Sequence, residues 1–306
     1  MASMTGKWEL SYYTDPILWT QRRTVAFDEG DCHKKLETIR RSGIHWIGIN
    51  GVNLLEPTEC DVLESVNKVA AMLDALGLKV SSFHYAGPTY ARLSLSQERV
   101  RENMNASIEM FKLWRPKSFV IHANWILGEN TTFGVDCAFD KEAEKHGAQA
   151  VLETVAENLK YMARLARKYG IRLAVENMGK SPLGAPQDLP KLIEKINEPN
   201  AGYCLDSGHA NHSGQKPEDW ARVMGKKLFE THFHDNRGET DEHMPVGFGT
   251  INWIDVINAL SEIGFEGPVT FETGGWPLED PVEGYREAIA WWHACEKIAA
   301  QKKTEK

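Results

Sequence analysis

Cysteine is scarce in this 306-residue chain and offers no disulfide framework. The five cysteines are widely scattered and include no Cys-x-x-Cys pair: Cys32, Cys60, Cys137, Cys204 and Cys295. An odd, dispersed set argues against a disulfide-stapled secreted fold and against a cysteine-rich zinc module. We therefore expect reduced, mostly buried thiols in a cytoplasmic protein.

Long apolar runs and an excess of positive charge are also lacking. No stretch approaches the ~20 apolar residues of a transmembrane helix, and the N-terminus lacks a signal peptide's basic and apolar regions. With 35 Lys and Arg against 43 Asp and Glu, the formal net charge is −8, which is not the footprint of a nucleic-acid-binding surface. We expect neither a membrane nor nucleic acid as a partner. Residues 1–6 resemble an expression leader, and residues 7–306 are expected to form one domain.

Short β-rich runs alternate with segments of helical period from end to end. The predicted strands are Glu9–Thr14, His45–Asn50, Lys79–Tyr85, Ser118–Asn124, Arg172–Asn177, Ala201–Asp206, Glu230–Asp235 and Pro268–Thr273. The predicted helices are Asp61–Leu76, Ser96–Trp114, Lys141–Tyr169, Pro190–Ile196, Pro217–Met224, Trp253–Ile263 and Pro281–Ala299. Several strands are almost continuously apolar, as in parallel sheets covered on both faces. The alternation predicts an α/β fold, a single-domain (β/α)8 TIM barrel.

An open, doubly wound sheet is the alternative architecture. That fold usually carries a glycine-rich phosphate loop directly after its first strand. Here the first strand is followed by Asp15-Pro16-Ile17-Leu18-Trp19, which contains no glycine. The closed barrel is therefore favoured.

Histidines and acidic residues collect where the predicted strands end. Six of the 11 histidines do so, namely His84, His122, His209, His232, His234 and His243. The acidic residues at the same ends are Glu176, Asp206, Asp241 and Glu272. A single buried histidine is usually a hydrogen-bonded core residue, and a loop aspartate is usually solvated. In a barrel, however, all of these positions converge on one mouth, where the active sites of this fold are built.

Two strand-end glutamates give the strongest indication of a metal. A carboxylate at the end of a buried apolar strand is costly unless it is paired or bound to an ion. Glu176 and Glu272, with Asp206 and one histidine of the seventh strand, offer three oxygens and one nitrogen. Such a set suits Mn²⁺, Mg²⁺, Co²⁺ or Zn²⁺.

These residues lie in motifs that resemble the xylose isomerase-like barrel superfamily. The motifs are Val175-Glu176-Asn177, Cys204-Leu205-Asp206-Ser207-Gly208-His209-Ala210-Asn211, His232-Phe233-His234-Asp235-Asn236, the run from Asp241 to Ile251, and Phe271-Glu272-Thr273. The superfamily contains sugar isomerases and epimerases and also abasic-site nucleases of the endonuclease IV type. The resemblance covers nearly the whole chain after residue 8.

The resemblance implies one divalent metal, for which Mn²⁺ is the first expectation and Zn²⁺, Co²⁺ or Mg²⁺ are alternatives. The implied ligands are Glu176, Asp206, His232 and Glu272. His234 stays open as an alternative to His232, since residues i and i+2 point the same way on a strand. The resemblance implies that His209 contacts the substrate. Other candidates for substrate binding, taken from their places at or near strand ends, are His84, His122, His234, Arg237, Asp241, His243 and Trp19.

The implied activity is that of an isomerase or epimerase of carbohydrate metabolism, acting on a sugar or keto-sugar that is free or phosphorylated. The metal would polarise the carbonyl. Glu176 and Glu272 would be the catalytic pair that removes and returns a proton through an enediolate. Relatives of this kind often form dimers or tetramers, so a homo-oligomer is expected without a defined interface.

Two other activities of the superfamily stay open. The first is an abasic-site DNA nuclease with three zinc ions, because the chain has candidates for that larger ligand set. Three departures argue against it: Ser207-Gly208 replaces Thr-Cys, His234-Asp235-Asn236 replaces Asn-Asp-Ser, and Tyr85-Ala86-Gly87 replaces a run that helps to open DNA. The second is a metal-dependent lyase on 3-keto-glycosides, which would use the same metal and base. A barrel without catalysis is least favoured because of the paired glutamates.

Overall fold

The computed structural model describes residues 6–14, 18–21, 24–50, 60–84, 96–123, 143–178 and 184–304. Its strands are β1 (Leu10–Tyr13), β2 (Leu18–Gln21), β3 (Thr24–Phe27), β4 (Trp46–Asn50), β5 (Lys79–His84), β6 (Ser118–His122), β7 (Arg172–Glu176), β8 (Ala201–Asp206), β9 (Leu228–His232) and β10 (Val269–Phe271). Eight of them form one parallel sheet in the order β10-β1-β4-β5-β6-β7-β8-β9.

The sheet closes between its first and last strands. The amide of Phe233 donates to the carbonyl of Thr270 at 2.9 Å, and the amide of Glu272 donates to the carbonyl of Phe233 at 3.0 Å. The eight strands therefore form a barrel in chain order, which confirms the predicted (β/α)8 TIM barrel and excludes an open sheet.

The helices surround this barrel. They are α1 (Glu29–Arg41), α2 (Val62–Leu76), α3 (Gln97–Phe111), α4 (Ala148–Arg167), α5 (Leu189–Ile196), α6 (Ser207–His212), α7 (Pro217–Met224), α8 (Trp253–Ile263) and α9 (Pro281–Thr304). Their apolar faces bury side chains such as Leu36, Val66 and Leu159 against the sheet. No helix in the described ranges has both the length and the apolar composition needed to cross a bilayer.

Local sequence signals account for where several helices begin and end. The Asp61 carboxylate accepts a hydrogen bond from Glu64 N at 2.9 Å and caps α2, which ends at Gly77 with φ of 65°. The Asn252 side chain caps α8 in the same way. Both are the capping patterns expected at helix ends.

Three differences from the sequence prediction concern the segment after β1, the helix before β7 and the segment after β8. An antiparallel hairpin of β2 and β3 and the helix α1 fill the segment between β1 and β4, for which no element was predicted. The predicted helix Lys141–Tyr169 is interrupted, because Gly147 has φ of 89° and α4 begins only after it. The short helix α6 after β8 was not predicted either.

The barrel interior below the mouth is unusually polar. Glu230 on β9 is fully buried and accepts hydrogen bonds from Ser118 Oγ at 2.9 Å and Thr270 Oγ1 at 2.6 Å. Burial raises the pKa of this carboxyl above its usual value. The floor beneath the mouth is thus a hydrogen-bonded network of side chains from three strands.

Candidate metal centre

Four ligand-type side chains leave four consecutive barrel strands at the same end. Glu176, Asp206 and His232 are the last residues of β7, β8 and β9, and Glu272 directly follows β10. Each offers one ligand atom, and these atoms all lie within 4.8 Å of one another. The first three residues are buried, while the Glu272 side chain keeps 20% of its exposure. Among these four residues, Glu272 is therefore the most exposed to solvent.

Two facing atoms of this set are His232 Nδ1 and Glu176 Oε2. His232 Nδ1 lies 3.0 Å from Glu176 Oε2 and 3.3 Å from Glu272 Oε2. Within the described residues, neither His232 Nδ1 nor Glu176 Oε2 has a hydrogen-bond partner of acceptable geometry. Buried polar atoms are rarely left so, and a divalent cation among three carboxylates and an imidazole would satisfy them. The donor set fits such an ion.

Asp206 is held in place by its neighbour on β7. Asn177 Nδ2 donates to the Asp206 carbonyl at 2.9 Å, and Asp206 N donates to Asn177 Oδ1 at 2.7 Å. The Asp206 carboxylate also accepts from His209 N at 2.6 Å and so caps α6. The other carboxylate oxygen, Asp206 Oδ2, lies 3.2 Å from His234 Nε2.

Three further imidazoles surround Glu176. His84 Nε2 and His122 Nε2 lie 3.3 Å and 3.2 Å from its Oε2, and His209 Nδ1 lies 3.2 Å from its Oε1. Burial opposes ionisation, but His122 and His232 outweigh it and hold the pKa of Glu176 well below its usual range. His84, His122 and Glu176 form a second group whose atoms are close enough to share an ion.

A third group lies on the opposite side of the mouth. His234 Nε2 is 3.2 Å from Asp206 Oδ2 and 3.5 Å from Asp241 Oδ1, while His243 Nε2 is 3.1 Å from Asp241 Oδ2. The rings of His234 and His243 stack with centroids 3.9 Å apart. Burial works against the charge of His243, but Asp241 and Glu272 raise its pKa to about 10. His234, Asp241 and His243 could also share an ion.

The two histidines of β9 and its extension therefore join different groups. His232 lies among Glu176, Asp206 and Glu272, whereas His234 lies with Asp241 and His243. Alternation along the strand places both at the mouth but does not separate them. The geometry favours His232 as the nitrogen donor of the four-residue set.

This geometry can be compared with known proteins. Residues 37–295 match the family described as xylose isomerase-like TIM barrel. The chain belongs to that family. The match spans seven of the eight barrel strands, including the four whose ends carry the metal-type side chains.

Relatives within and beyond this family are distant in sequence. Protein MJ1311 of Methanocaldococcus jannaschii is 32% identical over 166 residues, which are 51% of this chain and 54% of that protein. Inosose isomerase of Bacillus licheniformis is 28% identical over 129 residues, which are 38% of this chain and 45% of that protein. The chain thus spans about half the length of these curated relatives. The structure of an L-ribulose 3-epimerase has a TM-score of 0.70 and 16% identity, with 96% of both chains covered, and shares the fold.

One predicted substrate contact of this xylose isomerase-like barrel, Arg237, is not part of the clusters. Arg237 is exposed, and its guanidinium pairs with Glu242 on the same loop. Trp19 lies on β2, and its side chain is outside the described part of the chain. The other six candidates for substrate contact lie at the mouth: His84, His122, His209, His234, Asp241 and His243.

Three residues at the mouth were missed by the sequence prediction. Tyr13 ends β1, is buried, and sets its ring edge-on to His232 with centroids 4.9 Å apart. Cys204 on β8 forms a close group with Glu176 and His232. Asn177 forms two hydrogen bonds with the backbone of Asp206. The strand-end argument that found the acidic residues applies equally to Tyr13 and Asn177.

Even the small substitution Gly208→Ala is expected to destabilise the fold. A Cβ there would stand 1.8 Å from His234 Cε1, so Gly208→Ala should displace that ring and cost about 1–3 kcal/mol. Propensity alone would favour alanine in α6 by roughly 1 kcal/mol. Thermal unfolding measures the difference.

Gly30→Ala in α1 is the matched control for this change. Its Cβ would meet only Asp28 Oδ1, at 3.4 Å, so stability should hold or rise. The double variant with His234→Ala should recover stability relative to Gly208→Ala alone. If Gly208→Ala unfolds at or above the unfolding temperature of the native chain, Gly208 is not tightly packed against His234.

Metal affinity is expected to rise with pH. Burial disfavours the charged imidazole, but Cys204, Glu272 and Glu176 outweigh it and raise the pKa of His232 well above its usual value. Glu272, with a pKa of about 2, is already ionised. An ion must therefore displace one proton from His232, and affinity should rise by about tenfold per pH unit below that raised pKa. Competition with a chromophoric chelator at pH 6, 7 and 8 measures it.

Two histidine variants serve as references for this pH series. His232→Gln should bind more weakly and lose the slope, whereas the exposed His33→Gln should keep both the affinity and the slope. A dissociation constant for the native chain that is independent of pH would contradict the role of His232 as a ligand.

Proposed function

We propose that this chain is a metal-dependent isomerase or epimerase of sugars or keto-sugars. The observation that carries the proposal is the placement of two carboxylates, Glu176 and Glu272, at 3.0 Å and 3.3 Å from one imidazole nitrogen, His232 Nδ1. With Asp206 they would hold a divalent ion, expected first to be Mn²⁺. Bound there, the ion would polarise a substrate carbonyl and acidify the neighbouring C–H.

The two glutamates have the properties that proton transfer requires. Both have a lowered pKa, which for Glu272 is about 2, so both are ionised bases at neutral pH. One carboxylate would remove the proton from carbon to give an enediolate, and the other, after taking up a proton from solvent, would donate that proton to carbon. Return to the opposite face inverts the carbon, and return to the neighbouring carbon moves the carbonyl.

Polar side chains around the glutamates suit a polyhydroxylated substrate. His84 and His122 flank Glu176, and His209 and Asp241 face each other at 3.4 Å across the mouth. Each can donate or accept a hydrogen bond to a hydroxyl group. The names of the relatives support starting with inosose and with ketopentoses such as ribulose.

Proton exchange with solvent tests the proposal directly. The purified chain, loaded in turn with Mn²⁺, Co²⁺, Mg²⁺ or Zn²⁺, would be incubated in D2O with a panel of inosose, ketopentoses, ketohexoses, 3-keto-glycosides and their available phosphates. Deuterium at the carbon next to the carbonyl, followed by a new epimer or isomer in the NMR spectrum, is the expected result. Elimination from a 3-keto-glycoside would instead identify the lyase activity. No exchange with any member of the panel under any ion would count against both the isomerase or epimerase activity and the lyase activity.

A phosphodiester hydrolase acting on abasic DNA is the second candidate. It is favoured by the two additional groups, His84–His122–Glu176 and His234–Asp241–His243, which flank the four-residue set. Together these groups could hold more than one ion, as hydrolases of this type require. Metal content by plasma mass spectrometry separates the candidates: about one equivalent supports the isomerase, and about three of zinc support the nuclease.

A further inference from the structure

Asp235 carries a buried carboxylate that is satisfied by four N–H donors. Its Oδ1 accepts from Asn236 N at 3.0 Å and Ile251 N at 3.2 Å, and its Oδ2 accepts from Gly247 N at 3.1 Å and Trp253 Nε1 at 2.8 Å. Asp235 is 0% exposed. These donors come from positions up to 18 residues later in the chain, so one carboxylate ties a whole loop to the end of β9.

The loop fastened in this way runs from residue 237 to residue 250. Its return path is fixed by a backbone pair, in which Asp235 N and Met244 N each donate to the other residue's carbonyl at 2.8 Å and 2.9 Å. At Gly249 the loop passes so close that a Cβ would stand 2.2 Å from Asn236 O and 2.3 Å from Asp235 Oδ1. We call residues 237–250 the mouth loop.

A second anchor reaches the mouth loop from α6. Asn211 Nδ2 lies 2.8 Å from Asn236 Oδ1 and 2.9 Å from Thr250 Oγ1. Asn236 Nδ2 in turn donates to Gly208 O at 2.9 Å. The loop is thus bound at its start and its end to the segment that follows Asp206.

The mouth loop supplies one side of the candidate site. It carries Asp241 and His243, and His243 adopts a left-handed backbone conformation with φ of 48°. Such a conformation is costly for a residue other than glycine unless the surroundings impose it. His243 is also held by Glu272 O, 3.1 Å from its Nδ1, and by Thr273 Oγ1, which donates to its carbonyl at 2.9 Å.

We propose that Asp235 is a positioning residue that sets Asp241 and His243 for substrate recognition without taking part in binding the metal. None of the four residues of the metal-type set lies on the mouth loop, since all four are at strand ends. Loss of the Asp235 carboxylate therefore loosens one wall of the site and leaves the metal-type set intact. The proposal rests on the proposed function for the identity of the substrate but not for the mobility of the loop.

Asp235→Asn tests the proposal, since the amide keeps the size of the side chain but turns an NH2 group toward two of the four donors. We expect hydrogen exchange of the mouth-loop amides to accelerate by about tenfold or more. Affinity of the metal-type set for Mn²⁺ should stay within about threefold of native. On a substrate found in the D2O screen, KM should rise by about tenfold with a much smaller change in kcat.

Two further variants keep the test decisive. Asp255→Asn removes an exposed carboxylate in the first turn of α8, the helix that begins at Trp253. It should change neither the hydrogen exchange of the mouth loop nor KM. Asn211→Ala removes the second anchor alone and should accelerate loop exchange even if Asp235→Asn proves too unstable to purify.

Native-like exchange of the loop in Asp235→Asn, or in Asn211→Ala where only that variant is purified, would overturn the proposal. Loss of Mn²⁺ affinity in step with loop exchange would overturn it too. Absence of any sugar activity in the native chain, with the loop and metal results as expected, would instead reject the proposed function.

Discussion

Glu176→Gln is expected to lower turnover on the accepted sugar by about 10²-fold to 10⁴-fold, the range typical of a lost general base. The carboxylate is 1% exposed and meets His84, His122, His209 and His232 within 3.3 Å. The amide keeps the shape but cannot accept a proton from carbon at neutral pH. Steady-state rates measured at saturating metal separate this loss from weaker ion binding.

Glu153→Gln is a suitable control for that variant. Glu153 is an exposed residue of α4, and the same chemical change there should leave turnover unaltered. The comparison also reveals any nonspecific effect of losing a negative charge. Turnover of Glu176→Gln close to the native value, with the metal bound, would refute the assignment of Glu176 as a catalytic base.

Glu272→Gln is expected to stop net inversion by a similar factor while sparing part of the chemistry. If one carboxylate serves each face of the substrate, Glu176 still removes the proton from one epimer in this variant. Deuterium from D2O should then enter that epimer at a rate within about tenfold of native, with little product of opposite configuration. NMR of both epimers, each incubated separately, measures exchange and inversion together.

The two glutamate variants should therefore show opposite patterns of deuterium exchange. Glu176→Gln should retain exchange from the epimer that Glu272→Gln leaves inert. Equal loss of exchange from both epimers in both variants would rule out one base per face. A single base serving two neighbouring carbons, as in an isomerase, would then be the better description.

The architecture could be predicted because its signals are local. The near-continuous apolar strands and the caps at Asp61 and Asn252 are readable from short windows of sequence. Helix α1 was missed although Cys32, Leu36 and Ile39 are spaced for one buried face. The hairpin of β2 and β3 has strands of only four residues each, too short for periodicity to distinguish from a loop.

The candidate site could be predicted in outline but not in its groupings. Strand ends converge in any barrel, which is why Glu176 and Glu272 could be placed together from the sequence alone. Alternation could not assign His232 and His234 to different groups, since that depends on the path of the mouth loop. The role of Asp235 was not predicted because three of its four donors are 12 to 18 residues away in sequence, with no pattern to link them.

The strands that carry the metal-type set are β7, β8, β9 and β10, all in the second half of the chain. The first half contributes His84, His122 and Tyr13 to the same mouth. The ion is therefore expected to depend on the second half alone, whereas contacts to the substrate are expected from both halves of the chain. Chimeras that keep residues after β6 and exchange the preceding segment for that of another family member should alter which sugar is accepted while retaining the ion.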